Sequence, residues 1–301
     1  MSKFDKNAKT AEHAPTPEEQ LLVTQVGHGA VATVAVSQAL SVDDLAADAG
    51  SGLQNVTATD LATPLLVILQ GNSPQVKRSD GKYISGAKEG DIFNTMTNAV
   101  VDGTVGLTVI PAYFAKNYLE WKPKRGGLAA MHNADTPLKD QVTLVEVTDA
   151  EGNKKLVPTL PNGNTLVETN HHYALVLNAD GSFDPVVIPM ASSQLKSSRL
   201  WNSLMSKVKL SKSDGSLFTP ASYYNTYHLT TKARARDTFS WCVWSVEPAG
   251  PTPSRALYEA GKAFERAVSS GAVKIKVEEP APEAHAAVAE AAGAEDDGVP
   301  F

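Results

Sequence analysis

Residues 91–189 read as strand after strand, separated by turn-forming clusters and by no segment of helical period. Residues 91–97 form the first predicted strand. Residues 104–111 form a second, which continues through Tyr118 to Trp121. Residues 141–148 and 155–157 face each other across the polar tip Asp149-Ala150-Glu151-Gly152-Asn153, as in a hairpin. Residues 165–177 make a long strand, Asn178-Ala179-Asp180-Gly181 its turn, and residues 184–189 pair back. Such a run predicts a mainly β body.

The period then changes. In residues 192–210, Leu195, Leu200, Trp201, Leu204, Met205 and Val208 recur at helical spacing, with Ser192 or Ser193 as the cap. Two strands follow, 223–232 and 238–247, and after a Pro/Gly break a second helix covers 254–269. Upstream, Pro64 at a first helical position, with Asp60 or Thr63 as cap, predicts a helix over 64–70. Strands, a helix, more strands and a helix suit an OB-like Greek-key barrel with a helix between strands 3 and 4 and a C-terminal helix. Residues 1–58 read as a disordered leader, 59–271 as the folded body and 272–301 as a disordered Ala/Glu/Pro tail. The apolar stretch 21–40 is interrupted by Gln25, His28, Gln38 and two glycines, which argues against a membrane span.

Searches for chemistry return little. The one cysteine, Cys242, excludes an intrachain disulfide framework and a Cys-rich zinc module. There is no P-loop and no Gly-x-Ser-x-Gly elbow. The seven histidines include no i, i+4 pair, and the adjacent His171 and His172 point to opposite faces of a strand. Asp80, Glu89 and Asp91 lie close in sequence, but among Lys77, Arg78, Lys82 and Lys88, which they can simply neutralise. The expectation is no catalytic residue, no metal and no cofactor.

Charge is more informative. The chain carries 27 basic and 33 acidic side chains, a net of −6. Residues 277–301 hold seven of the acids and no Lys or Arg, and residues 1–60 hold eight acids against three lysines. Residues 61–276 are therefore left with a net of +6. Within that basic body, three segments interleave cations with aromatics. The first has Lys77, Arg78, Lys82, Tyr83, Lys88 and Phe93. The second has Tyr113, Phe114, Lys116, Tyr118, Trp121, Lys122, Lys124 and Arg125. The third supplies Lys196, Arg199, Lys207, Lys209, Lys212, Lys232, Arg234 and Arg236, with Trp201, Phe218, Tyr223, Tyr224 and Tyr227. A single nucleic-acid strand has one phosphate charge per nucleotide and bases with open π faces. A sequence-independent binder of it needs a cationic track and flat side chains to stack on. The alternative for each cluster is a solvated charged face over buried aromatics.

The chain ends Asp296-Asp297-Gly298-Val299-Pro300-Phe301. This tip resembles that of bacterial single-stranded-DNA-binding proteins, acidic and ending in Ile-Pro-Phe. The body contains Ser73-Pro74-Gln75-Val76-Lys77-Arg78, the run from Tyr83-Ile84-Ser85-Gly86 to Ile92-Phe93-Asn94-Thr95, and Tyr118-Leu119-Glu120-Trp121-Lys122-Pro123. Those motifs resemble a family of tailed-phage proteins often described as single-stranded-DNA-binding. The resemblance implies non-catalytic DNA binding in phage replication or recombination, in the host cytoplasm. Replication and recombination proteins would be recruited through Asp296, Asp297, Pro300 and Phe301, where a terminal carboxylate and ring can enter a partner's pocket. The expected DNA contacts are Lys77, Arg78, Lys82, Tyr83, Lys88, Tyr118, Trp121, Lys122, Lys124, Arg125, Arg199, Trp201, Lys207, Tyr224, Tyr227, Lys232, Arg234 and Arg236. A homo-oligomer is compatible with the sequence. The rival readings are a virion assembly protein and a metal-dependent DNA-processing enzyme built on Asp80, Glu89 and Asp91.

Overall fold

The computed structural model describes residues 63–123, 126–148, 154–236 and 239–273, with a few positions between 46 and 55. The remainder of the leader, the tail beyond residue 273 and the tip of the 141–157 hairpin lie outside the described residues.

Two long strands form the spine. β4 (Leu107–Trp121) runs antiparallel to β8 (Thr165–Leu177) from Val109↔Val176 to Trp121↔Thr165. The register shifts between Pro111 and Tyr113, where proline has no N–H to offer the ladder. Each spine strand is long enough to take different neighbours at its two ends. β4 pairs with β12 (Asn225–Arg236) over Leu107–Val109 and with β5 (Leu128–Asn133) over Asn117–Trp121. β8 pairs with β9 (Phe183–Ala191) over Thr169–Leu177, and with β7 (Lys154–Thr159) only at Thr159↔Thr165. β13 (Phe239–Pro251) flanks β12, and β6 (Thr143–Thr148) flanks β7.

A second sheet of β1 (Leu66–Ile68), β2 (Ile92–Asn94) and β3 (Val100–Val101) fills the gap between the two sides. On one side Leu65 bridges Val187 of β9, whose N–H donates to the Pro64 carbonyl at 2.9 Å. On the other, the Thr231 N–H of β12 donates to the Gly103 carbonyl at 2.8 Å. A two-stranded ribbon, β10 (Leu210–Ser211) with β11 (Leu217–Phe218), completes the strands. The two long helices of the described residues are α1 (Leu195–Lys207) and α2 (Arg255–Ser269). Ser254 caps α2, its hydroxyl accepting from the Leu257 N–H at 3.2 Å.

The mainly β class is what the sequence indicates. The pairing of the described strands does not trace a closed barrel. The main path β13-β12-β4-β8-β7-β6 has two different ends, and α1 follows β9. The length of β4 and β8 is the reason: two neighbours share each strand, so the sheet forks. Residues 64–70 are also not helical, since 66–68 is β1. Leu65, Leu66, Ile68 and Leu69 are all buried, and a short run that is apolar on both sides suits a covered strand better than a one-faced helix.

Both faces of the spine are covered. One face carries Val109, Ala174, Val176, Ile188 and Met190 with Trp201 of α1, Tyr227 and Leu229 of β12 and Trp244 of β13. The other carries Tyr173 and Val187, on which Phe264 and Val268 of α2 pack; the Tyr173 and Phe264 rings meet edge-on, centroids 6.3 Å apart. His171 and His172 do face opposite ways, yet both are buried because both faces are covered. His172 Nε2 lies 2.8 Å from Ser198 Oγ and its ring stacks on Trp201 at 4.4 Å. His171 Nδ1 lies 3.0 Å from Asn117 Oδ1.

Candidate nucleic-acid interface

Beyond Leu229, β12 has left β4, so residues 230–236 and their partners on β13 continue as a two-stranded ribbon. Alternation sorts its side chains. Tyr227 and Leu229 point into the core with Cys242, Trp244 and Val246. Lys232, Arg234 and Arg236 therefore share the opposite face. Their cross-strand partners there are Val243, Trp241 and Phe239. Arg234 lies directly across from Trp241, and Arg236 across from Phe239. The two rings are 5.8 Å apart at an interplanar angle of 33°, and Phe239 is 40% exposed. Lys232 reaches Glu247 at 3.6 Å, whereas Arg234 makes no ion pair among the described residues.

Two other expected elements meet the base of this ribbon. The loop carrying Lys77, Arg78, Lys82, Tyr83 and Lys88 begins at Gln70 and returns at Gly90. The Gln70 amide exchanges two hydrogen bonds with the Cys242 backbone, at 2.9 and 3.0 Å. The Gly90 carbonyl accepts from the Thr231 hydroxyl at 2.6 Å. Gly103 fits there because it has no side chain: a Cβ would sit 1.9 Å from the Gly90 oxygen. The start of α1 is tied to the same stretch of β13, since Gln194 bonds Cys242 and Trp244 and the Ser197 hydroxyl donates to the Trp244 carbonyl at 2.6 Å. Lys196 and Arg199 are exposed on that first part of α1.

Within the loop, Lys77, Arg78 and Lys82 are exposed and Tyr83 half-buried. Lys88 is engaged by Asp102 at 2.9 Å, a hydrogen bond that raises the ammonium's pKa. The Thr104 hydroxyl, with Lys88, holds the Asp102 carboxyl well below the carboxylate range.

The second cluster is elsewhere. Tyr118, Trp121 and Lys122 lie at the far end of β4, where about 3.3 Å of rise per residue puts Trp121 on the order of 45 Å along the strand from Leu107. Lys122 is exposed, Tyr118 is half-buried, and Lys124 and Arg125 lie outside the described residues. The carboxylate beside them, Glu120, is buried and receives the Asn162 and Asn164 amides and His132. Those contacts, Asn164 first, hold its pKa below the usual value. Lys207 and Tyr224 lie at a third place: Tyr224 lines a small cleft with Met205 and Val208 beside the end of α1.

Three expected contacts are corrected. Trp201, Tyr227 and Trp121 are 0%, 1% and 4% exposed, so no base can reach them. Trp201 and Tyr227 are core partners, 5.9 Å apart, and Trp121 packs with Leu119 and Val167. Phe93 is buried as well. The sequence reading in turn omits Phe239 and Trp241. The signal is there: the two are spaced i, i+2, hence on one strand face, and Trp244, three residues beyond Trp241, is the core member.

Among the described residues no group of three or more His, Cys, Asp or Glu is placed to hold a metal ion. Asp80 bonds the Lys82 N–H at 2.9 Å, whereas Asp91 is buried and accepts from the Lys88 N–H at 3.0 Å. No described helix is long and apolar enough to cross a membrane.

The family model described as Pam3 phage gp34-like protein matches residues 31–274. The chain belongs to this phage-associated family. No curated protein and no solved structure matches it. The matched segment contains every part of the ribbon, the Gln70–Gly90 loop and both helices. The acidic tip, with Asp296, Asp297, Pro300 and Phe301, lies beyond the match and outside the described residues.

Proposed function

We propose that this gp34-like protein binds single-stranded DNA, independently of sequence and without catalysis, during phage DNA replication or recombination. The observation that carries the reading is the outer face of the β12–β13 ribbon. Lys232, Arg234 and Arg236 stand at every second position beside Trp241 and Phe239. A row of cations along a strand matches successive phosphates, and the flanking rings offer a face for unpaired bases. Lys77, Arg78 and Lys82 from the loop, and Lys196 and Arg199 from α1, extend the track from the ribbon's base. Lys122, Lys207 and Tyr224 stand apart from it and serve at most as outlying contacts of a longer strand. The acidic tip recruits partner proteins by its terminal carboxylate and ring.

The test is fluorescence anisotropy with a labelled single strand and the matching duplex across a salt series. Tight single-strand binding whose logarithm falls linearly with log salt is expected, at about 0.7 in slope per phosphate neutralised. Equal affinity for duplex, or no binding at low salt by both the full chain and a chain truncated before residue 293, rejects the reading and favours a virion assembly role.

A further inference from the structure

The opposite end of the sheet carries a surface the DNA reading leaves unused. The β6–β7 hairpin joins the body through a single register pair, Thr159↔Thr165, and β6 ends the main sheet path. Every residue of β6 is exposed. Leu144 is 51%, Val145 42% and Val147 40% exposed, and Leu156 of β7 40%. Apolar side chains thus stand on both faces of a hairpin that no described element covers. Along its six residues the outer edge presents the backbone donors and acceptors that do not face β7, with no described strand beside them. Edge strands are ordinarily protected by charge, proline, brevity or a covering element. β6 has one charge, Glu146, and that is occupied by Lys154 of its own hairpin at 2.8 Å.

We infer that β6 is a pairing edge for a second copy of this chain, joining two sheets antiparallel across a two-fold axis. The sequence Thr143-Leu144-Val145-Glu146-Val147-Thr148 suits self-pairing, best in the register centred on Val145, which with that centred on Glu146 uses the most of its exposed residues. A two-fold axis perpendicular to the sheet keeps each residue on its own face, so the axis must pass through a residue position. Centred on Val145, it sets Val145 against Val145 and each Val147 against Thr143. One face then becomes a continuous row of β-branched side chains, the kind that cross-strand packing favours. On the other face each Leu144 meets Glu146, and the two carboxylates stay apart. Centring on Glu146 would oppose like charges directly, which disfavours that register. A nucleic-acid strand is a poor occupant of this edge: the hairpin's described residues include no aromatic, β6 itself carries no cation, and Lys154 of β7 is engaged by Glu146. The inference stands independently of the DNA-binding reading, since it uses none of the same residues.

Sedimentation velocity of the full chain from micromolar to millimolar concentration tests it, with three variants. The wild type should double in mass as concentration rises. Val145→Lys places two ammonium groups at the axis and should remain monomeric, with an unchanged thermal midpoint because Val145 is outside the core. Val145→Cys should give a disulfide-linked dimer under mild oxidation. Val147→Cys, whose neighbour across the axis is Thr143, should cross-link far less. A wild type that stays monomeric throughout, a Val145→Lys variant that still dimerises, or equal cross-linking at both positions overturns the inference.

Discussion

Gln70 and Gln194 converge on one carbonyl: both side-chain amides donate to the Cys242 oxygen, at 3.0 and 2.9 Å. Their own oxygens accept from the Cys242 and Trp244 N–H groups, at 2.9 and 3.0 Å. Two glutamines thus act as a neighbouring strand for the free edge of β13. They tie the basic loop and the start of α1 to the ribbon.

Removing either amide should therefore cost more than a surface hydrogen bond. Gln70→Ala leaves a half-buried backbone N–H without that acceptor, a loss of about 1–3 kcal/mol. Gln194→Ala should cost a similar amount. Because the two share an acceptor, the double variant should depart from the sum of the singles. Urea unfolding of the four proteins measures all three quantities. Strict additivity would show that the glutamines act separately.

Stability should fall with acid in two windows. Burial pushes His171 down to about 4 and His172 to about 3, from the ordinary 6.5. Below that ordinary value the unfolded chain takes up protons that the folded chain refuses, so acid favours unfolding. Their contribution is full above pH 6.5 and is lost progressively as pH falls through the two lowered values. Glu120 acts in the same direction but only in stronger acid: its carboxyl is ionised in the fold where the unfolded one is already protonated. Its contribution is present above the ordinary 4.5 and lost as pH falls through its lowered value. His171→Gln keeps a donor toward Asn117 and should remove its own share of the fall in thermal midpoint in the upper window, leaving that of His172 and the lower window in place. An unaltered profile would mean that neither burial nor neutrality at His171 matters.

Much of the fold is legible locally, because period and capping are local. Residues 165–177 read as a strand and are one, and residues 254–269 read as a helix and form α2. Ser192 and Ser193, read as the cap of α1, instead precede it in a short 3-10 turn, and Gln194 stands at its start without a side-chain cap. The forked sheet is not legible, because which neighbour β4 takes at each end depends on residues far away in sequence. Residues 64–70 mislead for a related reason: Pro64 suits a helix start, but burial on both sides decides for a strand. The candidate interface divides the same way. Cations are read correctly as surface, since charge rarely enters a core unpaired. Aromatics are not, because a ring looks the same in sequence whether it is buried or exposed: Trp201 packs from a helix, and Trp241 and Trp244 differ in the face on which the β12–β13 register places them.

That difference gives paired expectations. Trp201→Ala empties the centre of the core and should cost about 3–5 kcal/mol of stability. Arg234→Ala should shift stability by no more than about 0.5 kcal/mol, as surface changes do, yet weaken single-strand affinity and lower the salt slope. Trp241→Ala should cost about 1–3 kcal/mol of single-strand binding if a base stacks there. Anisotropy and urea unfolding on the same preparations separate the two effects. Unchanged affinity in both ribbon variants would remove the ribbon from the interface.

The close approach at Gly103 should be the least tolerant point of the loop's attachment. A Cβ there would sit 1.9 Å from the Gly90 carbonyl oxygen and 2.2 Å from the Thr231 hydroxyl, and backbone cannot give way as a flexible side-chain end does. Gly103→Ala must push the β1–β3 sheet away from β12, weakening the bonds from Thr231 to Gly103 and Gly90. Overpacking of this kind costs about 1–3 kcal/mol or more. Because the same contact anchors the end of the loop that carries Lys77, Arg78 and Lys82, single-strand affinity should fall even at temperatures where the variant stays folded. Gly127→Ala is the control: its Cβ would meet nothing within 4 Å, and its cost would come only from a φ of +82°. It should therefore lose stability modestly and leave DNA binding unchanged. Hydrogen exchange would locate the damage in the Gly103 variant at Thr231 and the β3–β4 turn, and protection there equal to wild type would show that the two sheets do not depend on this contact.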